Sequence, residues 1–317
     1  MAGHEADADE VDNGLNGHVR SPALREAERE LAAVKMRVDG LSAVGRVELD
    51  AMMRAGHEKL ARGRPGGSYE QATRGALECF AACYVMARTL ELPRAELDAL
   101  STAALCYRQL GRPEVAIVML RACVELSARH DDVQGEAHAL GNAALALRSL
   151  GQLDEAIAMQ RESARLAMSC GDWQCAVRAH VNAANVLLLR AAEAADRAAG
   201  AASSSGLSND EHRAVARRDA EALLRAALAL VDEHARARDD GGTTELEANV
   251  CARLAAALEI EGRERSGEAT ELYRRALGCI ELLAGIDVGG DEQDARAAHH
   301  RQQCEVLRRK VHQVSPS

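Results

Sequence analysis

Two asparagines of this chain stand forty residues apart, at Asn142 and Asn182. A carboxamide donates and accepts hydrogen bonds at once, so it can pair with the peptide bond of a bound segment whatever that segment's side chains are. Four arginines accompany them, and guanidinium groups suit carboxylate or phosphate ligands. These arginines are Arg108, Arg148, Arg178 and Arg253. The residue types predict recognition of an extended peptide that is acidic or phosphorylated.

Motifs that carry catalysis are missing from the sequence. It contains no Gly-x-x-x-x-Gly-Lys phosphate loop, no His-Glu-x-x-His and no Gly-x-Ser-x-Gly elbow. The pairs His57-Glu58 and His299-His300 lack the other residues of any such motif. Aspartates and glutamates are plentiful, but we place them on solvated helix faces, without the burial that acid catalysis requires. We therefore expect no enzyme, no catalytic residue and no cofactor.

The nine cysteines are an odd number scattered over the chain, which argues against a disulfide framework. Cys79 and Cys83 stand one helical turn apart, and Cys170 and Cys175 flank a predicted turn. A structural zinc site needs two close pairs with a suitable loop between them. We therefore predict reduced core thiols, because free cysteine behaves as a small hydrophobic residue, and no metal site.

A repeat of forty residues positions these side chains. The pairs Ala103-Ala104, Leu110-Gly111 and Ala116-Ile117 recur as Ala143-Ala144, Leu150-Gly151 and Ala156-Ile157, and Ala183-Ala184 continues the series. Apolar residues three and four positions apart draw one stripe on a helix, and Gly151 ends that helix because glycine takes the left-handed conformation at low cost. Hairpins of about 34–47 residues stack into helical solenoids, since none buries its apolar face alone.

Three segments resemble the tetratricopeptide repeat family. They are LGNAALALRSLGQLDEAIAMQRESARLAMSCGD at 140–172, GEATELYRRAL at 267–277, and AGHEKLARG with SYEQA at 55–63 and 68–72. The forty-residue period is similar to the subclass found in rapsyn, in G-protein-regulating spindle adaptors and in kinesin light chains. The resemblance implies an all-α fold: a right-handed superhelical solenoid of antiparallel helical hairpins, with about five hairpins plus terminal helices.

Composition and glycine positions divide the chain. We expect a disordered acidic tail at 1–21, an N-terminal capping helix at 22–45, a solenoid at 46–285 with a flexible insertion at 199–210, and a C-terminal capping helix and tail at 286–317. The predicted hairpins are 46–63 with 68–91, 95–110 with 113–130, 135–150 with 153–169, 173–198 with 211–237, and 244–261 with 266–284. A last helix is predicted at 291–313.

The first helices of successive hairpins are expected to line a concave groove. With the alanine pairs facing inward, side chains one or two positions away face the open side. We call this set the groove residues: Thr102, Arg108, His138, Asn142, Arg148, Arg178, Asn182, Asn185 and Arg253. The family resemblance implies that asparagines at such positions hold the backbone of a bound peptide. Alternatively, the arginines pair with glutamates of adjoining helices or are merely solvated.

The charge and the apolar content exclude other partners. Binding of nucleic acid requires a basic surface, whereas the formal net charge of this chain is −10. It also requires aromatic side chains that stack on bases, and the chain has only one Phe, one Trp and four Tyr. The sequence contains no run of about 18 apolar residues, so no transmembrane helix is predicted. The acidic first twenty residues do not read as a signal or transit peptide. We expect a cytoplasmic protein that binds neither nucleic acid nor membrane.

Two functions remain open at this stage. The first is a peptide-binding adaptor or scaffold, in the cytoplasm or associated with the cytoskeleton or a cilium, whose partner is a protein or peptide. The second is a structural subunit of a larger assembly, such as a ciliary or motor-associated one, that uses the convex face and the terminal helices. In a variant of the first, the acidic stretch 5–12 folds back onto the arginines of the groove.

Overall fold

The computed structural model describes residues 46–62, 68–200, 206–235, 241–261, 265–286 and 291–314. These residues are helical apart from short turns, which confirms the predicted all-α class. The expected acidic tail at 1–21 and capping helix at 22–45 lie outside the described residues, as does the middle of the expected insertion at 201–205.

Eleven helices follow one another along the described residues. They are α1 (Arg46–Arg62), α2 (Ser68–Thr89), α3 (Pro93–Gln109), α4 (Pro113–Arg129), α5 (Val133–Ser149), α6 (Leu153–Ser169), α7 (Trp173–Gly200), α8 (Gly206–Ala235), α9 (Gly241–Glu261), α10 (Ser266–Ile286) and α11 (Asp291–Val314). The ends of α1 to α6 agree with the predicted hairpins within two residues. Each helix packs mainly against its neighbours in sequence, as in a tetratricopeptide-like solenoid.

A residue with a positive φ angle ends every helix from α2 to α6. These residues recur every twenty positions: Glu91, Gly111, Asp131, Gly151 and Gly171. At each turn the next residue closes the helix with a backbone hydrogen bond to the carbonyl five positions before it, as Gln152 does to Leu147 at 3.0 Å. This is the Schellman closure, and it confirms that Gly151 ends its helix. Because the turns are equally spaced, α3 to α6 each contain 17 residues.

The alanine pairs are buried between packed helices. Ala103-Ala104, Ala143-Ala144 and Ala183-Ala184 are at most 1 % exposed. Small side chains let the ridges of one helix enter the grooves of the next. The first helices of successive hairpins also contact one another directly, α3 with α5, α5 with α7 and α7 with α9. These first helices therefore form one continuous side of the solenoid.

Two aspartates forty residues apart cap α5 and α7. One carboxylate oxygen of Asp132 accepts the backbone N–H three residues further on at 2.8 Å, and Asp172 makes the same bond at 2.9 Å. The second oxygen binds a side chain from 38 residues earlier: Arg94 at 2.5 Å for Asp132, and Gln134 at 3.0 Å for Asp172. The repeat thus extends from apolar packing to polar contacts between hairpins.

The fourth hairpin departs from the repeat. Helix α8 begins at Gly206, about five residues before the predicted start at 211, and α9 begins at Gly241 instead of 244. Helix α7 runs on to Gly200, and α7 and α8 make the most extensive contact of any helix pair among the described residues. Because α7 is longer than the other first helices, it carries an additional apolar stripe, and the longer helix α8 covers this stripe.

Six of the nine cysteines are buried, in agreement with the predicted core thiols. Burial raises the pKa of the Cys106 thiol to about 11 and that of Cys123 to about 12. Cys79 and Cys279 are half-buried. The prediction is wrong for Cys170, which is exposed because it directly follows α6 at a turn. None of the described helices combines the length and apolar content needed to cross a membrane.

We expect Gly151→Ala to lower the free energy of unfolding by about 1–2 kcal/mol, because alanine is strained at its φ angle of 72°. Gly278→Ala is the matched control, since a methyl group at this exposed helical position meets no atom within 4 Å. It should stabilise the fold by about 0.5–1 kcal/mol. Urea denaturation measures both changes, and equal effects of the two substitutions would contradict the role of the turn.

We expect Asp132→Ala to lower the free energy of unfolding by about 1–2 kcal/mol near neutral pH. Burial alone would raise the pKa of Asp132, but the hydrogen bonds from the Gly135 N–H and from Arg94 hold it below its ordinary value. Its contribution is therefore complete above the unfolded pKa of about 4 and is lost as the pH falls through the lowered folded pKa.

Urea denaturation at neutral and at acidic pH tests this dependence. Asp131→Asn is the control, because Asp131 is exposed at a φ angle of 53°, which asparagine tolerates. The control should change stability by less than about 0.5 kcal/mol at either pH. A loss from Asp132→Ala that stayed the same at acidic pH would contradict the assignment of the cap.

Candidate functional site

A cleft of about 190 Å³ opens on the first-helix side of the solenoid, between α5 and α7. Its polar lining residues are His138, Asn142, Gln160, Ser163, Arg178 and Asn182. Four of these are groove residues, so the structure brings His138, Asn142, Arg178 and Asn182 to one place. We call this feature the α5–α7 cleft.

The floor of the α5–α7 cleft is polar although it is buried. Gln160 and Ser163 of α6 are at most 1 % exposed, and both donate to backbone carbonyls of α5. The Gln160 amide donates to Gly141 at 2.9 Å, and the Ser163 hydroxyl donates to Ala137 at 2.7 Å. A methyl group on Gly141 would lie 3.1 Å from the Ser163 hydroxyl, so glycine allows this approach. The Gln160 Oε1 atom has no hydrogen-bond partner among the described residues.

Both asparagines of the cleft are half-buried. Neither the Asn142 nor the Asn182 side chain makes a hydrogen bond to another described residue. A half-buried amide that lacks a protein partner is available to a ligand, and satisfying it offsets the cost of its partial desolvation. The two asparagines therefore offer donors and acceptors of the kind a peptide backbone requires.

His138 lies at one end of the cleft, between an acid and a thiol. Its Nε2 atom is 2.8 Å from Asp172 Oδ2. The contact with Cys175 raises the pKa of His138, burial opposes this shift, and the Asp172 carboxylate raises the pKa further. The imidazole is therefore fixed in orientation by groups on the first turn of α7.

The arginines differ in whether they form ion pairs. Ion pairs link the second helices of successive hairpins, as in Arg121 with Glu155 at 2.7 Å and Arg225 with Glu268 at 2.5 Å. Arg275 of α10 likewise pairs with Asp232 of α8. By contrast, none of the four groove arginines forms an ion pair within the described part of the chain. The alternative in which they pair with glutamates of adjoining helices is not observed there.

The other groove residues lie outside the α5–α7 cleft. The Thr102 hydroxyl donates to the Asp98 carbonyl of its own helix at 2.7 Å. Arg108 and Arg148 are half-buried in the last turns of α3 and α5, where a cation complements the negative end of the helix dipole. Asn185 is half-buried on α7, one turn beyond Asn182.

Arg253 belongs to a second cavity, of about 550 Å³, between α9, α10 and α11. Tyr273 donates to Glu259 at 2.6 Å, and the Lys310 ammonium of α11 lies 3.0 Å from the same carboxylate. Burial and the neighbouring Glu259 raise the pKa of Tyr273. The last helix therefore closes one side of this cavity, and Arg253 lies in a different space from the residues of the α5–α7 cleft.

Sequence reasoning missed Gln160, Ser163, Asp172 and Cys175. The first two lie on a second helix, which was assigned to packing alone. The forty-residue period does relate Asp172 to Asp132, and that relation would have identified the caps. Cys175 was recognised only as a core thiol, because its distance from His138 depends on how α5 and α7 pack.

Comparison with known proteins identifies the repeat in the central helices. The tetratricopeptide repeat family model matches residues 95–169, which span most of α3 to α6. Two crystal structures of a putative kinesin light chain from Podosopora anserina, described as nearly identical TPR-like repeats, are each 16 % identical to this chain in sequence. The alignments cover 72 % of this chain and 94 % and 93 % of the two structures, with TM-scores of 0.46 and 0.47. The second structure is a point variant of that protein. No curated protein matches the chain. The resemblance seen in the sequence is thus confirmed for residues 95–169, which match the model of the tetratricopeptide repeat family.

Proposed function

We propose that this chain is a non-catalytic scaffold or adaptor that binds an extended, acidic or phosphorylated segment of a protein partner along its first-helix side. Tetratricopeptide repeats generally bind protein partners, and stacked hairpins present extended concave surfaces. The observation that carries the proposal is that several polar side chains of the groove have no partner within the protein, as far as the described residues show. Arg121 and Arg225 of the second helices are ion-paired, whereas the groove arginines have no ion-pair partner and both cleft asparagines have no hydrogen-bond partner within the described residues.

The cleft asparagines are assigned to the peptide backbone. Asn142 of α5 and Asn182 of α7 occupy the same position in successive repeats, so they meet successive stretches of one extended chain. Contacts of this kind give affinity without dependence on the side chains of the ligand.

Arg178 is assigned to the acidic side chains of the ligand. It is exposed at the edge of the cleft, and it carries a positive charge in a chain whose formal net charge is −10. A guanidinium group binds carboxylate or phosphate through two parallel hydrogen bonds. Because an exposed charge is screened by salt, the preference for acidic peptides should weaken as the ionic strength rises.

Fluorescence anisotropy with labelled decapeptide libraries tests the proposal. One library is rich in Asp and Glu, one carries phosphoserine, and one is rich in Lys. We expect the acidic and phosphorylated libraries to bind more tightly than the basic one. The double substitution Asn142→Ala with Asn182→Ala should weaken binding about 5- to 150-fold, since two lost hydrogen bonds cost about 1–3 kcal/mol. Arg178→Ala should remove the preference for acidic peptides.

Arg165→Ala is the matched control. Arg165 is an exposed arginine of α6 that pairs with Glu162 on its own helix and does not line the cleft. Its removal should leave binding unchanged. Equal affinity for the three libraries, or full binding by the double asparagine variant, would refute the proposed function.

A further inference from the structure

Three side chains with different donor atoms converge at the end of the α5–α7 cleft. The ligand atoms of His138, Asp172 and Cys175 all lie within 4.8 Å of one another. His138 comes from the first turns of α5, whereas Asp172 and Cys175 come from the start of α7. Cys175 is 6 % exposed, and the other two side chains are partly buried. Nitrogen, oxygen and sulfur donors in one place are the combination that zinc sites use.

Two of these three residues depart from the repeat. Asp172 corresponds to Asp132, and both serve as helix caps. The residues that correspond to His138 and Cys175 in the preceding repeat are Asp98 and Gly135. Packing of the solenoid therefore requires neither an imidazole nor a thiol at these positions, because the preceding junction is built without them.

Neighbouring groups hold the donor atoms in place. The backbone N–H of Cys175 donates to Asp172 Oδ1 at 2.9 Å, and Gln134 donates to Asp172 Oδ2 at 3.0 Å. These two hydrogen bonds are of the type that fixes the orientation of metal ligands and raises their affinity. The His138 Nε2 atom lies 2.8 Å from the same Oδ2 atom, and a bound ion would replace this contact.

We propose that His138, Asp172 and Cys175 bind one divalent transition metal ion, and that Zn²⁺ is the ion this donor set favours. Zinc bonds of about 2.0–2.3 Å place tetrahedral ligands about 3.3–3.7 Å apart, so each donor moves by about 1 Å or less from its present position. A water molecule from the cleft completes the tetrahedron. The carboxylate and the thiolate balance the two charges of the ion, and the thiol proton passes to solvent on binding.

Cobalt replaces zinc in such sites and reports its ligands spectroscopically. The experiment titrates Co²⁺ into the reduced, chelator-treated full-length chain and follows the absorption spectrum. We expect one equivalent to bind, with a thiolate-to-cobalt charge-transfer band and the strong visible bands of tetrahedral coordination. Zn²⁺ should then displace the cobalt and abolish both bands.

Variants assign the site to these residues. Cys175→Ser should abolish the charge-transfer band, and His138→Gln should weaken Co²⁺ binding at least about 10-fold. Cys175 is buried, so its substitution could disturb the fold. His138 is only half-buried, so His138→Gln tests metal binding by the cluster even in that case. Cys170→Ser is the control, because this exposed cysteine lies outside the cluster, and it should retain the full spectrum. A wild-type chain without the charge-transfer band, or His138→Gln with unchanged affinity, would overturn the proposal.

Discussion

The equal spacing of the left-handed turn residues is the constraint from which the rest of the architecture follows. A turn at every twentieth position from Glu91 to Gly171 gives four helices of identical length. Identical lengths keep the alanine pairs at the same height on successive hairpins, so the small residues meet at each crossing. Because the register is preserved, equivalent side chains such as Asn142 and Asn182 fall on one side of the solenoid.

Close approach of the helices also creates the polar floor of the cleft. Gly141 lets Ser163 and Gln160 reach the backbone of α5 from the neighbouring helix. Buried polar groups are costly unless they are hydrogen-bonded, and these two bonds satisfy most of that requirement. The remaining acceptor on Gln160, its Oε1 atom, is buried without a hydrogen-bond partner among the described residues. The same close contact therefore joins α6 to the backbone of α5 and leaves one acceptor unsatisfied.

The fold was predictable from the sequence, whereas the site was predictable only in part. Glycine and the alanine pairs recur at fixed intervals, and local rules on helix ends then place α1 to α6 within two residues. His138, Asn142, Arg178 and Asn182 were expected together because the repeat fixes their helix faces. The separate cavity around Arg253 was not expected, since the position of α11 depends on tertiary packing. The proximity of Cys175 to His138 likewise depends on how two helices pack.

Each helix contacts mainly its neighbours in sequence. We therefore expect the chain to fold and unfold as a one-dimensional array of repeats, whose stability depends on contacts between neighbours. In such an array, the terminal elements open at a smaller energetic cost than the central ones. Among the described residues, helix α11 packs mainly against α10, and its Lys310 also reaches Glu259 of α9. We expect local fraying of this helix to expose the large cavity around Arg253 while the α5–α7 cleft stays folded. The two spaces therefore differ in how readily they become accessible, and amide hydrogen exchange would order them accordingly.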